Sequence, residues 1–434
     1  MNLLHVNDAP GRHAPSWYAA TAPTPPEHPP LRGAVRADVC VIGAGYTGLS
    51  AALHLAARGH DVRVLEAQRV GFGASGRNGG QAAPGQRVDP DTLARRYGAG
   101  TAAALWRIGI DAMDHLRALV TDHAIDCDWR DGIVEAARTR AEARAAQAHA
   151  DHLATDYGYD RLVPLDRDAV AVETGAADFA GGVLDRSAAH LHPLKLVFGI
   201  AHAAEAAGAI FHERAEVTRL VPGTPARVET ATGTVTADHV VLACNGYLGR
   251  LSPKVAARVM PINNFILATE PLGARGAAIL PNNVAAQDTR FVVNYWRKTP
   301  DGRLLFGGGE TYGYRFPCDI AGLVRRRMLS IYPRLADVAI DHAWGGTLAI
   351  TRSRLPVFAR PAPGLWSASG YSGHGIALGL YAGEMIGQAI GGTAERFDTM
   401  AALPAPAFPG GGRFRAPLLA TAMTWFALRD RLGL

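Results

Sequence analysis

ADVCVIGAGYTGLSAALHLAARGHDVRVLE, residues Ala37–Glu66, decides the fold. It reads as an apolar run, a tight glycine turn, an apolar helix, a second apolar run and a terminal acid. Gly43, Gly45 and Gly48 are spaced GxGxxG, and Glu66 follows 23 positions after Gly43. Strand, glycines, helix, strand and acid in register are the dinucleotide-binding context. Gly43 permits the sharp turn, Gly45 lets backbone approach a pyrophosphate, and Gly48 lets helix pack on strand. The free N–H groups and dipole of the helix start, at Tyr46 and Thr47, favour a diphosphate. Glu66 can accept hydrogen bonds from an adenosine ribose and would repel a 2′-phosphate, which argues against NADP.

Working outward, residues 1–33 form a Pro-rich arm expected to be extended. Arg69–Gly85 (RVGFGASGRNGGQAAPG) is a polar glycine-rich loop. From Asp91 to about Tyr157 the pattern is helical, with apolar Leu105, Ile108, Met113, Leu116, Leu119 and Val120. Leu194–Ala207 is a helix. Val240–Ala243 is a continuous apolar run ending in CNG, as in a buried parallel strand aimed at a ligand. Residues 259–310 turn to short alternating runs, and TPDG between two of them signals a hairpin. LWSAS, Leu365–Ser369, is a last strand before a helix over Ile376–Ile390.

The expected fold class is therefore α/β. A Rossmann-like domain (34–90, 190–255, 346–400) is interleaved with a substrate domain on a mixed or antiparallel sheet (91–189, 256–345). Residues 401–434 form a C-terminal segment with a helix at Pro417–Leu434.

The bulk numbers exclude more than they identify. The 434 residues carry a net charge of +5 with no Lys/Arg-rich block, so nucleic acid is not expected. Only Lys195, Lys254 and Lys298 supply lysine. The four cysteines are far apart, and no His or Cys cluster has ligand spacing, so no metal is expected. No leader pattern and no run of about 18 apolar residues is visible, so a cytoplasmic protein without membrane attachment is expected.

One fingerprint at the start, with no second GxGxxG, argues for one dinucleotide held throughout, and FAD fits better than a dissociable NAD. GYSGHGIALGLYAGEMIG at 370–387 is the second pointer. Gly370, Gly373 and Gly375 open a helix whose N–H groups suit the electron-rich edge of a reduced flavin. Packing alone is the plainer reading of such a helix start, and it weakens beside the first fingerprint. His374 is either a base or flavin neighbour, or a structural histidine. Arg77 and Asn78 either touch phosphate or flavin, or are solvated. Tyr295, Trp296, Arg297 and Lys298 on the hairpin either pack or face a flavin.

SWYAATAP, the block from Val39 to Gln81, GRLLFGGGE and GYSGHGIALGLYAGE together resemble the FAD-dependent amine oxidoreductases of the D-amino acid oxidase/sarcosine oxidase superfamily. Within it the chain is most similar to bacterial γ-glutamylputrescine oxidoreductases, over nearly its whole length. The resemblance implies hydride removal from the carbon beside an amine nitrogen, giving an imine and then an aldehyde. Oxygen would be reduced to peroxide; the competing reading is a D-amino acid or secondary amino acid dehydrogenase that passes electrons to quinone.

The implied FAD contacts are Gly43, Gly45, Tyr46, Thr47, Gly48, Glu66, Ala74, Ser75, Arg77, Asn78, Gly79, Gly80, Gln81, Val217, Ala243, Gly246, Gly370, Ser372, Gly373, His374, Gly375 and Ile376. His374, Lys298 and Tyr295 are the implied catalytic residues, and Trp296 and Arg352 the implied substrate contacts, with Arg354 as an alternative. Leu348 stands where the sarcosine branch carries a flavin-linking cysteine, so FAD is expected to be held without a covalent bond. Leu305 stands where that branch carries a lysine for oxygen reduction.

Overall fold

Val39, Cys40 and Val41 are fully buried, and β-branched residues covered on both sides favour a central parallel strand. The strand Gly33–Ile42 lies between Gly233–Leu242 and Val62–Leu65, parallel to both, with Val41 opposite Val241 and Val64. The computed structural model describes residues 2–409, and the helix expected at Pro417–Leu434 lies outside them. In spatial order the first sheet runs Val357–Ala359, Leu365–Ser369, Gly233–Leu242, Gly33–Ile42, Val62–Leu65, Ile210–His212.

The second sheet runs Ile340–Ile350, Met260–Thr269, Leu304–Thr311, Tyr295–Lys298, Ala285–Asp288, Arg130–Ala137, Gly181–His190, Gln81–Ala82. It is mixed: Ala285–Asp288 pairs parallel with Arg130–Ala137, and the hairpin around TPDG is antiparallel as expected. Its core centres on Trp296, Phe306, Phe265, Val324 and Met328.

Two boundaries differ from the sequence expectation. The helices Pro90–Tyr97 and Ala99–Asp122 pack in the first domain's core, through Leu93, Leu105, Ile108 and Met113 against residues of the Tyr46–Ala56 and Ala377–Ile390 helices. The strand Ile340–Ile350 stays in the second sheet beyond residue 346. The Pro-rich arm also holds a short helix, Trp17–Thr21, whose Trp17 and Tyr18 are buried with Leu305 and Trp344 at the junction of the domains. No helix among the described residues is long and apolar enough to cross a membrane.

Candidate active site

The fingerprint builds a cradle that only glycine allows. Gly43 has φ +103°, and a Cβ on Gly48 would lie 1.9 Å from the Gly43 carbonyl oxygen. A Cβ on Gly45 would approach Ser75 Oγ to 2.9 Å. Gly45 caps the helix Tyr46–Ala56 without a side chain, so the N–H groups of Thr47 and Gly48 in that first turn stay open to an anion. Tyr46 N donates to Ser75 Oγ at 3.0 Å, which draws the Ala74–Gly76 turn over the helix start.

Glu66 closes the second strand. Its carboxylate accepts from Ala44 N (2.8 Å) and Gln68 N (2.9 Å), and burial raises its pKa to about 7. Ala215 N donates to the Glu66 carbonyl, which brings the buried Val217 segment alongside.

The second helix start lies next to the first. Tyr371 OH and Thr47 Oγ1 are 2.6 Å apart, and a Cβ on Gly383 would lie 2.5 Å from the Thr47 carbonyl oxygen. Ile376 caps the helix Ala377–Ile390 without a side-chain bond. Two open helix starts thus share one side of the first sheet, as a long ligand with a diphosphate and an electron-rich ring requires. Gly370 N donates to Asn245 Oδ1, Ser372 N donates to the Ala349 carbonyl, and Gly373 has φ +88°. Ala243 N donates to the Ile42 carbonyl, and Gly246 backs onto the Leu348 carbonyl. The Ser369 hydroxyl is buried with no protein partner, which leaves a polar group for a ligand at this end, while His374 is buried against the backbone of Ala83, Pro84 and Gly85. Burial and Arg87 hold the His374 pKa down at about 4, so the imidazole is neutral.

The glycine-rich loop is pinned, not solvated. Asn78 Nδ2 donates to the Ala74 and Ser75 carbonyls, and its Oδ1 accepts from Gly80 N. Arg77 is 3% exposed, pairs with Asp8 at 2.9 Å and donates to the Phe72 and Gly345 carbonyls. It fastens the N-terminal arm to the loop and to the second sheet. Gly79 lies against the Tyr295 ring, and Gln81 Nε2 donates to the Ala286 and Trp296 carbonyls.

The second sheet presents its polar face to this loop. Tyr295 OH donates to Asn264 Oδ1 at 2.5 Å, and its ring covers Gly307. Asn264 stands opposite Glu310, so Glu310 shares the face of Tyr295. Tyr312 OH donates to Glu310 Oε2 at 3.1 Å. Burial raises the Glu310 pKa against the pull of that bond and of Arg354, Arg327 and Arg87. Burial likewise lowers the pKa of Arg354 and Arg327. Arg354 adopts φ +64°, with its guanidinium 5.5 Å from the centre of the Phe291 ring.

Three expectations are corrected. Trp296 is fully buried and stacks between Phe179 and Phe306 in the second core, so it lines no substrate site. Lys298 shares the Trp296 side of the strand by alternation, away from Tyr295. Arg352 is exposed and donates to the Ala407 carbonyl, leaving Arg354 as the inward arginine of that pair. Sequence reasoning missed Glu310, Asn264, Tyr312, Arg327 and Arg87. The one signal was the acid that ends GRLLFGGGE: charge on an otherwise apolar strand.

Comparison with known proteins agrees with this geometry. The family described as FAD dependent oxidoreductase matches residues 38–389. The chain is 42% identical to the probable oxidoreductase OrdL of Rhizobium meliloti (strain 1021), covering 96% of this chain and 97% of that one. It is 40% identical to the γ-glutamylputrescine oxidoreductase of Escherichia coli (strain K12), covering 97% and 99%. Glycine oxidase from Geobacillus kaustophilus shares the fold at a TM-score of 0.70 and 21% identity, over 82% of this chain and 95% of that one. The cradle, the paired helix starts and these matches together place the chain in the FAD-dependent oxidoreductase family.

Proposed function

We propose that the chain oxidises an amine at the carbon next to nitrogen, and that its substrate is γ-glutamylputrescine or a similar N-substituted amine. The observation that carries this is the mixed charge around the end of one strand of the second sheet: Glu310 lies within the field of Arg354 and Arg87, from loops, and of Arg327, from the helix Ile320–Ile331. A γ-glutamyl diamine has a carboxylate at one end and an amine at the other. Resemblance to the Escherichia coli enzyme supports the same class.

FAD, held by the fingerprint and the Gly370–Gly375 turn, supplies the hydride acceptor. The protein does the rest. Arg354 and Arg327 orient the carboxylate end. Glu310, whose raised pKa suits a proton acceptor, takes the proton that an ammonium must lose before its carbon can release hydride. Tyr295 and Asn264 hold one another and keep the loop at Gly79 in place. Neutral His374 adds no positive charge next to the amine. Leu348, where a cysteine would be needed for a covalent link, supports non-covalent FAD.

Oxygen is the proposed acceptor. A quinone-linked amino acid dehydrogenase is the second reading, favoured by one observation: Leu305 is fully buried under the arm, and Lys298 points away from the site. Anaerobic mixing with γ-glutamylputrescine should bleach the flavin, and air should restore it with one peroxide per turnover. Bleaching only by D- or secondary amino acids, with reoxidation by quinone alone, overturns the first reading.

A further inference from the structure

Far from the cofactor cradle, three helices of the first domain meet. His54 comes from the last turn of Tyr46–Ala56, His115 from Ala99–Asp122, and Glu384 from the middle of Ala377–Ile390. One nitrogen of each imidazole and one carboxylate oxygen all lie within 4.8 Å of one another. His115 Nδ1 and Glu384 Oε2 are 3.0 Å apart, and the two imidazole rings lie 5.1 Å between centres. Nε2 of His54 and Nε2 of His115 are buried without a protein partner. Gln388 Nε2 donates to Glu384 Oε1 at 2.9 Å and so orients the carboxylate. Of the two arginines whose fields reach the cluster, Arg58 donates to the His54 carbonyl and Arg396 pairs with Asp111.

The buried His54 Nε2, left unpaired beside an imidazole and a carboxylate, is unfavourable unless something joins it to them. Two imidazoles, one carboxylate and a water are a ligand set that zinc accepts. At ligand distances near 2.0–2.1 Å, tetrahedral ligands stand about 3.3 Å apart, so the His115–Glu384 pair already has the spacing and His54 must close by at most about 1.5 Å. Side chains of His115 and Glu384 are 10% and 20% exposed, which leaves a path for an ion. The three residues are too far apart in sequence for their spacing to signal a metal, and for that reason the sequence reading expected none.

We propose that His54, His115 and Glu384 form a zinc site that clamps these three helices, with water as the fourth ligand. At about 1.5 Å of rise per residue, His54 and Glu384 lie roughly 12 Å from the helix starts that face the cofactor. The site therefore braces the far end of Tyr46–Ala56 against the middle of Ala377–Ile390 and takes no part in the reaction.

The test uses the FAD-loaded enzyme, stripped of metal by a chelator and titrated with Zn²⁺ against a chromophoric competitor. Expected are one zinc per chain, a higher Tm when it binds, and affinity at least tenfold weaker in His54→Gln and in Glu384→Gln. Zinc-edge X-ray absorption of the unmutated protein, which needs no variant to fold, should show two imidazoles around the metal. Absence of stoichiometric zinc, zinc without imidazole ligands, or undiminished binding in both variants overturns the proposal.

Discussion

The Thr47 and Tyr371 hydroxyls, 2.6 Å apart and both buried, tie the helix start of the fingerprint to the turn that precedes the second helix. The two helix starts are thereby one unit. Replacing Thr47 with Val keeps the shape but leaves the Tyr371 hydroxyl buried and unpaired, at a cost of about 1–3 kcal/mol. Thr47→Val should weaken FAD binding by roughly tenfold while the protein still folds. Flavin fluorescence on dilution measures it; unchanged affinity would show that the two helix starts act independently.

Glu66 gives a pH signature with a definite sign. Its carboxyl has a pKa of about 7 in the folded protein without FAD, against an ordinary 4.5, because burial disfavours the charge. Below pH 4.5 both states hold the proton and nothing is lost. As pH rises from 4.5 through 7 the unfolded chain ionises more readily, so the FAD-free protein loses stability, up to about 3 kcal/mol. Glu66→Gln should remove that share of the decline, so the Tm difference between variant and parent grows with pH across this window. Ribose hydroxyls favour the charged form, so FAD should bind more tightly to the parent as pH rises over the same range.

The charge on the second sheet sets a kinetic prediction. Glu310→Gln keeps the size of the side chain and the bond from Tyr312 but cannot accept a proton. The kcat/KM for the amine substrate should fall by about 10²–10³-fold. The limb of the pH profile that rises as Glu310 ionises should vanish, while the alkaline rise from the amine itself remains. Stopped-flow flavin reduction across pH reads both. A variant that keeps the acid limb would remove Glu310 from the proton path.

How much of this was readable beforehand follows the range of the interactions. The cradle is local: Gly43, Gly45, Gly48 and Glu66 fall within one β-α-β unit, and the periodicities of strand and helix expose it. The turn at Gly370 is local too. Glu310 comes into the site only because Asn264 pairs with it across the sheet, with one extra residue in the Glu310 strand, a register that no local pattern encodes. Trp296 and Lys298 were misread because the hairpin motif does not say which face of the strand meets the cofactor. Arg77 was open between ligand and solvent, since its partner Asp8 lies 69 residues away in an arm expected to be merely extended.

On the proposed function, Arg354 is the residue that tells substrates apart. It is held in a left-handed backbone conformation close to Glu310, whereas its neighbour Arg352 faces out. Arg354→Met keeps bulk over Phe291 and removes the charge. A charge-assisted hydrogen bond contributes about 1.5–3 kcal/mol, so KM for γ-glutamylputrescine should rise by roughly 10–100-fold. Free putrescine, which has no carboxylate, should be affected little, and kcat for both should hold within a factor of a few. Steady-state kinetics on the two amines gives the ratio. An equal loss for both would mean that Arg354 supports the pocket without reading the carboxylate, and Arg327 or Arg87 would then be the group that selects the glutamyl end.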